Sequence, residues 1–224
     1  MCIRDSLLAP FKRINRKVSV VNTQPMALIS LLEYQNQGNE ISAVIDIGYS
    51  ATQITIADKN NIYLSRTIDT GGNQFTKTLM EINGEDYHAA EERKFSEGLK
   101  ADQQEKDEQQ KLLDSIQLDI SLGEDNRLNE IVATLSAEIT RSFDYFNMKN
   151  KGSEISKVFL TGGGSRLKGL KQLLKDDLSK EIFEIDPFKN TDYSLDHEQY
   201  CDDCKNEFAV AVGLGVSEVM AYED

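Results

Sequence analysis

"AVIDIGYSATQITI", residues Ala43 to Ile56, sets two β-branched runs on either side of one short turn. Runs of this kind bounded by turn residues predict adjacent strands. A third, "NIYLSRTIDT" (residues 61–70), follows the polar cluster Asp58-Lys59-Asn60-Asn61 and extends the pair into a meander. In the first turn Gly48 permits a tight bend whose N–H groups can face an anion, and Ser50 and Thr52 add hydroxyl donors. Asp46, at the end of the first strand, cannot contact a phosphate favourably. It can hold a magnesium ion through that ion's waters.

A second strand-to-loop passage, "VFLTGGGSRL" (residues 158–167), ends an apolar run in Gly162, Gly163, Gly164 and Ser165. Each glycine loses conformational freedom on folding. The triplet therefore serves either a tight βα turn or a backbone that a ligand approaches closely, and a helix from about Arg166 would offer its positive end. Both loops leave the C-terminal ends of strands, the edge where open α/β sheets bind ligands.

Around these loops the pattern alternates between strand and helix. Residues 17–23, "KVSVVNT", read as a short strand, while the residues before them show neither sustained periodicity nor a turn signal. Helices are expected over 25–34, with Thr23 as cap and Pro25 in the first turn, and over 71–83, with Asn73 as cap. A further helix over 84–98 carries Glu85 and Asp86 near its positive end. Residues 99–125 are rich in Gln, Asp, Glu and Lys and have little to bury, which predicts an exposed insertion. Leu128, Ile131, Leu135, Ile139, Phe143 and Phe146 then mark one face of a long core-facing helix. A helix from Arg166, a strand in "EIFEIDPF" (181–188) and an apolar final helix from Asn206 complete an α/β layer order.

Composition narrows the function classes. A chain of 224 residues, 39% hydrophobic and with formal net charge −13, is globular and has no basic patch for a nucleic-acid backbone. No run approaches the ~20 apolar residues of a membrane span, and no leader of secretory type opens the chain, so a cytoplasmic location is expected. Cys2, Cys201 and Cys204 are too few for a disulfide framework. Cys201 and Cys204 lack a full zinc ligand set even with His197, and they read as free thiols.

"AVIDIGYSATQITI" resembles the phosphate 2 segment of the actin, heat-shock chaperone and sugar kinase ATPases, "VFLTGGGSRLKGL" their adenosine segment, and "NTQPMAL" their connecting helix. Within that superfamily "SRTIDTGGNQFTKTL", "AAEERK", "FDYF" and "GLKQLLKDDL" with "EIDPF" are most similar to the PilM family, cytoplasmic actin-like proteins of type IV pilus assembly. The resemblance runs from about Val18 to the end. It implies an α/β, actin-like ATPase (ribonuclease H-like) fold, mainly the second half of its two-domain clamp, with ATP and Mg²⁺ as cofactors. By position it implies Asp46 at the metal or its water, Gly48, Tyr49, Ser50 and Thr52 around the β and γ phosphates, and Gly162, Gly163, Gly164 and Ser165 at the adenosine. Glu91 and Lys94 match a Glu-x-x-Lys pair that reaches purine and ribose, or else form an ordinary helix ion pair. Gln24 stands where chaperone relatives carry an acidic residue that positions water or metal, and is otherwise a plain loop amide.

The family's phosphate 1 hairpin has no counterpart before Val18, nor has "MCIRDS" a family equivalent, so a truncated start is expected. The expected division is 1–41, remnant of a first domain and connecting helix; 42–98, meander and helices; 99–127, polar insertion; and 128–224, adenosine-binding part. The resemblance implies an ATP-binding scaffold, at most a weak ATPase, that joins the inner-membrane pilus complex through a PilN-type cytoplasmic tail without inserting in the membrane itself. It leaves self-association open. An FtsA-like division protein and a sugar or acetate kinase-like phosphotransferase are the alternative readings.

Overall fold

The computed structural model describes residues 3–18, 20–99, 118–189 and 205–223. Cys2, Cys201, Cys204, His197 and most of the expected insertion lie outside these residues. The core is a five-stranded mixed sheet built from β1 (Ser42–Ile47), β2 (Thr52–Ala57), β3 (Ile62–Ile68), β4 (Lys157–Thr161) and β5 (Ile182–Glu184), in the order β3-β2-β1-β4-β5. The meander β1-β2-β3 is antiparallel, as its short turns require, whereas β4 joins β1, and β5 joins β4, in parallel. Strands from residues 42–98 and from 128–224 therefore share one sheet.

Side chains alternate between the faces of a strand, and that alternation sorts the core. Ala43, Ile45 and Ile47 of β1, with Val158 and Leu160 of β4, face α3 (Gly72–Asn83), α5 (Leu118–Lys149) and α6 (Leu170–Leu178) through Phe75, Leu79, Leu135, Ile139, Leu170 and Leu174. Val44 and Phe159 face the opposite side, where Leu28, Leu31 and Leu32 of α2 (Gln24–Tyr34) and Ala209 of α7 (Ala209–Glu223) cover them. The same period places Asp46 on the Val44 face, under the first turn of α2. At the α2–α7 crossing Gly213 lies against the Ala27 backbone with no room for a Cβ. α4 (Tyr87–Glu97) is capped by Asp86, whose side chain accepts from the Ala89 N–H at 2.9 Å.

Several expectations change. Residues 3–13 form helix α1 (Ile3–Arg13), although Pro10 lies inside it, and the expected strand at 17–23 is absent among the described residues, which find no sheet partner there. Gly71, not Asn73, caps α3, and α5 begins ten residues before Leu128, at Leu118. The helix expected from Arg166 is a 3-10 turn, Gly163–Arg166, closed by an extended Leu167; α6 starts only after the left-handed Gly169 (φ 84°).

Candidate nucleotide-binding cleft

The parallel pairing of β1 with β4 sets Asp46 opposite Thr161. The turn after Ile47 and the glycine turn after Thr161 therefore leave the same sheet edge side by side. A cleft of about 390 Å³ opens there, lined by Asp46, Gly48, Tyr49, Gly72, Glu91, Lys94, Phe95, the three glycines 162–164, and Asn206, Glu207 and Val210.

The first loop is tied down by the start of α3. The Gly48 N–H donates to Ala51 O at 2.9 Å, while the N–H groups of Gly72 and Asn73 donate to Gly48 O and Tyr49 O at 2.9 and 2.8 Å. Tyr49 stands 60% exposed at the rim. Asp46 forms the floor, only 6% exposed, and its Oδ2 accepts from Gln24 Nε2 at 2.5 Å. Burial raises the pKa of this carboxyl and the Gln24 bond partly offsets the rise. A buried carboxylate with one amide partner is short of positive charge.

The glycine triplet divides by role. Gly162 takes φ 89°, and a Cβ there would overlap Asp46 Oδ1 and the Ile47 carbonyl; one on Gly164 would overlap the Ile47 side chain. Both are thus required by the close approach of β1. A Cβ on Gly163 would come no closer than 3.4 Å to Glu207, so that position alone has room toward the cleft.

Opposite, Glu91 and Lys94 on α4 enclose the far wall. Lys94 is only 5% exposed, and its Nζ donates to Glu91 Oε1 (2.7 Å), Thr76 Oγ1 (3.0 Å) and Gly72 O (3.4 Å). This is a buried network, not a solvated helix pair. Beside it the Phe95 ring has the Lys94 ammonium 4.5 Å and the Arg166 guanidinium 5.1 Å from its centroid, and Arg166 pairs with Glu207 at 2.8 Å.

Three residues with expected ligand contacts lie elsewhere. Thr52 is fully buried and its hydroxyl donates to Thr70 O at 2.6 Å. Ser165 is buried, donates to Gly162 O at 2.7 Å and accepts from Asn206 Nδ2 at 2.9 Å. Ser50 borders a separate hollow with Asp69, Asn73 and Lys77. The hydroxyls of Thr52 and Ser165 hold the loops in shape. Conversely Phe95, Asn206, Glu207 and Val210 enter the cleft unannounced. Asn206 is drawn in because its carbonyl accepts from the Gly162 N–H at 3.0 Å and the Thr161 hydroxyl at 3.2 Å.

The lining carries three carboxylates, Asp46, Glu91 and Glu207, against the single ammonium of Lys94. A polyphosphate entering such a cleft needs a cation with it. Among the described residues no three His, Cys, Asp or Glu side chains group as metal ligands. A Mg²⁺ at Asp46 would then keep most of its positions for water and phosphate, as that ion prefers. The residues present fit a nucleotide that arrives with its metal.

The mixed five-stranded sheet between helical layers, with two loops meeting at one edge, is α/β, and the solved structures it resembles are actin-like proteins, which gives the fold as actin-like. The sequence profile of the type IV pilus assembly protein PilM family matches residues 19–219, and the chain belongs to that family. No curated protein matches it. Among solved structures it is similar to a PilM-PilN type IV pilus biogenesis complex, at 22% identity and TM-score 0.73, over 96% of this chain and 57% of that one. It is also similar to MreB 5 of Spiroplasma citri bound to AMPPNP, at 15% identity and TM-score 0.67, over 98% of this chain and 65% of the other. The ethanolamine utilization protein EutJ from Carboxydothermus hydrogenoformans matches at 14% identity and TM-score 0.59, with coverages of 96% and 62%. The chain thus spans 57 to 65% of the length of these structures. No helix among the described residues is long and apolar enough to cross a membrane.

Proposed function

We propose that this chain is the nucleotide-holding part of a PilM-type scaffold of type IV pilus assembly, working in the cytoplasm and binding ATP with Mg²⁺. The observation that carries the reading is the register of Asp46 against Thr161, which brings a buried carboxylate and two glycine turns to one cleft. Bound Mg²⁺ supplies the positive charge that lets a triphosphate lie beside carboxylates. Asp46 orients the metal's waters, the Gly48–Tyr49 turn meets the phosphates, Gly163 leaves room for the adenosine, and Glu91 with its network forms the far wall. Gln24 fixes Asp46 but, as a neutral amide, cannot take a proton from an attacking water. Turnover is accordingly at most that of a weak ATPase, and the chain acts by binding.

In this reading 42–98 and the chain from Leu118, where α5 begins, form one nucleotide-binding body, and 1–41 are a remnant of a first domain with the connecting helix α2. A structural relative is a PilM-PilN complex, which supports a PilN-type cytoplasmic tail as partner and contact with the inner membrane through it. Family membership favours this role over the FtsA-like and kinase-like readings. The test is calorimetric titration of the chain with ATP, with and without Mg²⁺, beside Asp46→Ala. Metal-dependent binding that the substitution removes is expected; metal-independent binding, or none in the unmodified chain, refutes the reading.

A further inference from the structure

A second hollow, of about 300 Å³, borders the Gly163–Arg166 turn and shares only Asn206 with the cleft. Four cationic side chains, Arg166, Lys168, Lys171 and Lys205, line it beside one carboxylate, that of Glu184. In a chain of formal net charge −13 this is a local reversal of sign, and it favours an anion. Part of the charge is neutralised within the protein: Arg166 pairs with Glu207 at 2.8 Å and Lys171 with Glu184 at 3.1 Å. Lys168 gives only one of its three protons, to Ser96 O at 2.8 Å. Lys205 is half-buried, and its ammonium has no hydrogen bond or ion pair among the described residues. The first turn of α6 adds backbone N–H groups, since its cap, the left-handed Gly169, has no side chain to accept from them.

Asn206 narrows the choice of anion. It is only 7% exposed. Its Nδ2 donates to Ser165 Oγ at 2.9 Å and that hydroxyl donates onward to Gly162 O, so the amide cannot be turned round. Its Oδ1 is left as a buried acceptor with no partner among the described residues, an unfavourable state unless a donor arrives. A ligand that suits this hollow therefore brings negative charge together with a proton to give. We propose that the hollow is a binding site for free inorganic phosphate. Lys205, Lys168 and the first N–H groups of α6 meet its charged oxygens, and its remaining P–OH donates to Asn206 Oδ1. Sulfate has similar size and charge but no proton, and a phosphate monoester loses its last proton above a pKa of about 6. The cleft carboxylates play no part, so this site stands independently of the nucleotide reading.

The test is calorimetric titration of the full chain, without Mg²⁺ and at mildly alkaline pH, with sodium phosphate, sodium sulfate and methyl phosphate at matched ionic strength. One saturable phosphate site is expected, with sulfate and methyl phosphate about tenfold weaker for want of one hydrogen bond. Lys205→Gln should weaken phosphate binding about tenfold, the scale of one charge-assisted bond, and Lys205→Arg should restore it. No saturable phosphate binding, equal affinity for sulfate, or unchanged phosphate affinity in a folded Lys205→Gln chain overturns the proposal. Should Lys205→Gln fail to fold, the exposed charge reversal Lys168→Glu decides: loss of phosphate binding supports the site, and binding that survives it overturns the site.

Discussion

Adding one methyl group at each of three consecutive glycines separates packing from ligand contact. At Gly162 the backbone sits at φ 89° and ψ 158°, a region that costs a side-chain-bearing residue about 1–3 kcal/mol. The new Cβ would also lie closer than 3.0 Å to Asp46 and to the Ile47 backbone, adding about 1–3 kcal/mol of overpacking. Gly162→Ala should therefore destabilise the chain by roughly 2–6 kcal/mol. Gly164→Ala, blocked by the Ile47 side chain, should cost about 1–3 kcal/mol. Gly163→Ala meets nothing nearer than 3.4 Å and should be neutral, or stabilising by up to ~1 kcal/mol through the unfolded chain. In a chain of this size each kcal/mol moves Tm by about 2–4 °C, so melting curves rank the three variants directly. Nucleotide titration should give the opposite ranking among folded variants: Gly163→Ala keeps its Tm and loses about tenfold or more in affinity, because its methyl enters the cleft. A Gly163→Ala chain that melts as low as Gly162→Ala, or a Gly162→Ala chain that melts like the unmodified one, refutes this division of roles.

Asp46→Asn tests the buried carboxyl through pH. Because burial raises its pKa, the folded chain holds this proton at pH values where the unfolded chain, near its ordinary ~3.9, has released it. Stability from this group therefore falls as pH rises from the ordinary carboxylate range through the raised value, and stays low above it. Urea titrations should show Asp46→Asn lacking this decline and more stable than the parent at neutral pH, yet less stabilised by Mg²⁺ and ATP; a parallel pH profile in both chains would sink the argument. Gly213→Ala should force α2 and α7 apart, since its Cβ meets Ala27 backbone, with the carbonyl carbon at 2.7 Å. A Tm loss of roughly 2–12 °C is expected from ~1–3 kcal/mol of overpacking, and an unchanged Tm contradicts the packing described.

The meander was legible because its turns are local and its β-branched runs have a strand's length. The meeting of the two loops also followed from where each leaves its strand. The opening helix was missed because its eleven residues contain Pro10 and show no sustained apolar period, and the helix leaves Leu7 and Phe11 exposed instead of burying a face. Thr52 and Ser165 were assigned to a ligand because a hydroxyl beside a glycine turn bonds its own backbone as readily as a phosphate. Asn206 and Phe95 carry no local signal as wall residues. Asn206 is placed by the carbonyl that caps Gly162, and Phe95 by following Lys94 on α4, the one clue that adjacency offered.

The pairing of β1 with β4 has a consequence for how the molecule comes into being. Residues 46 and 161 become neighbours only across more than a hundred intervening positions, and contacts so distant in sequence form slowly. The meander with its short turns is expected to close first, whereas the cleft lacks the side formed by the glycine turn 162–164 until β4 has been inserted beside β1. A ligand that needs both loops of the cleft is therefore expected to find its site only after that step.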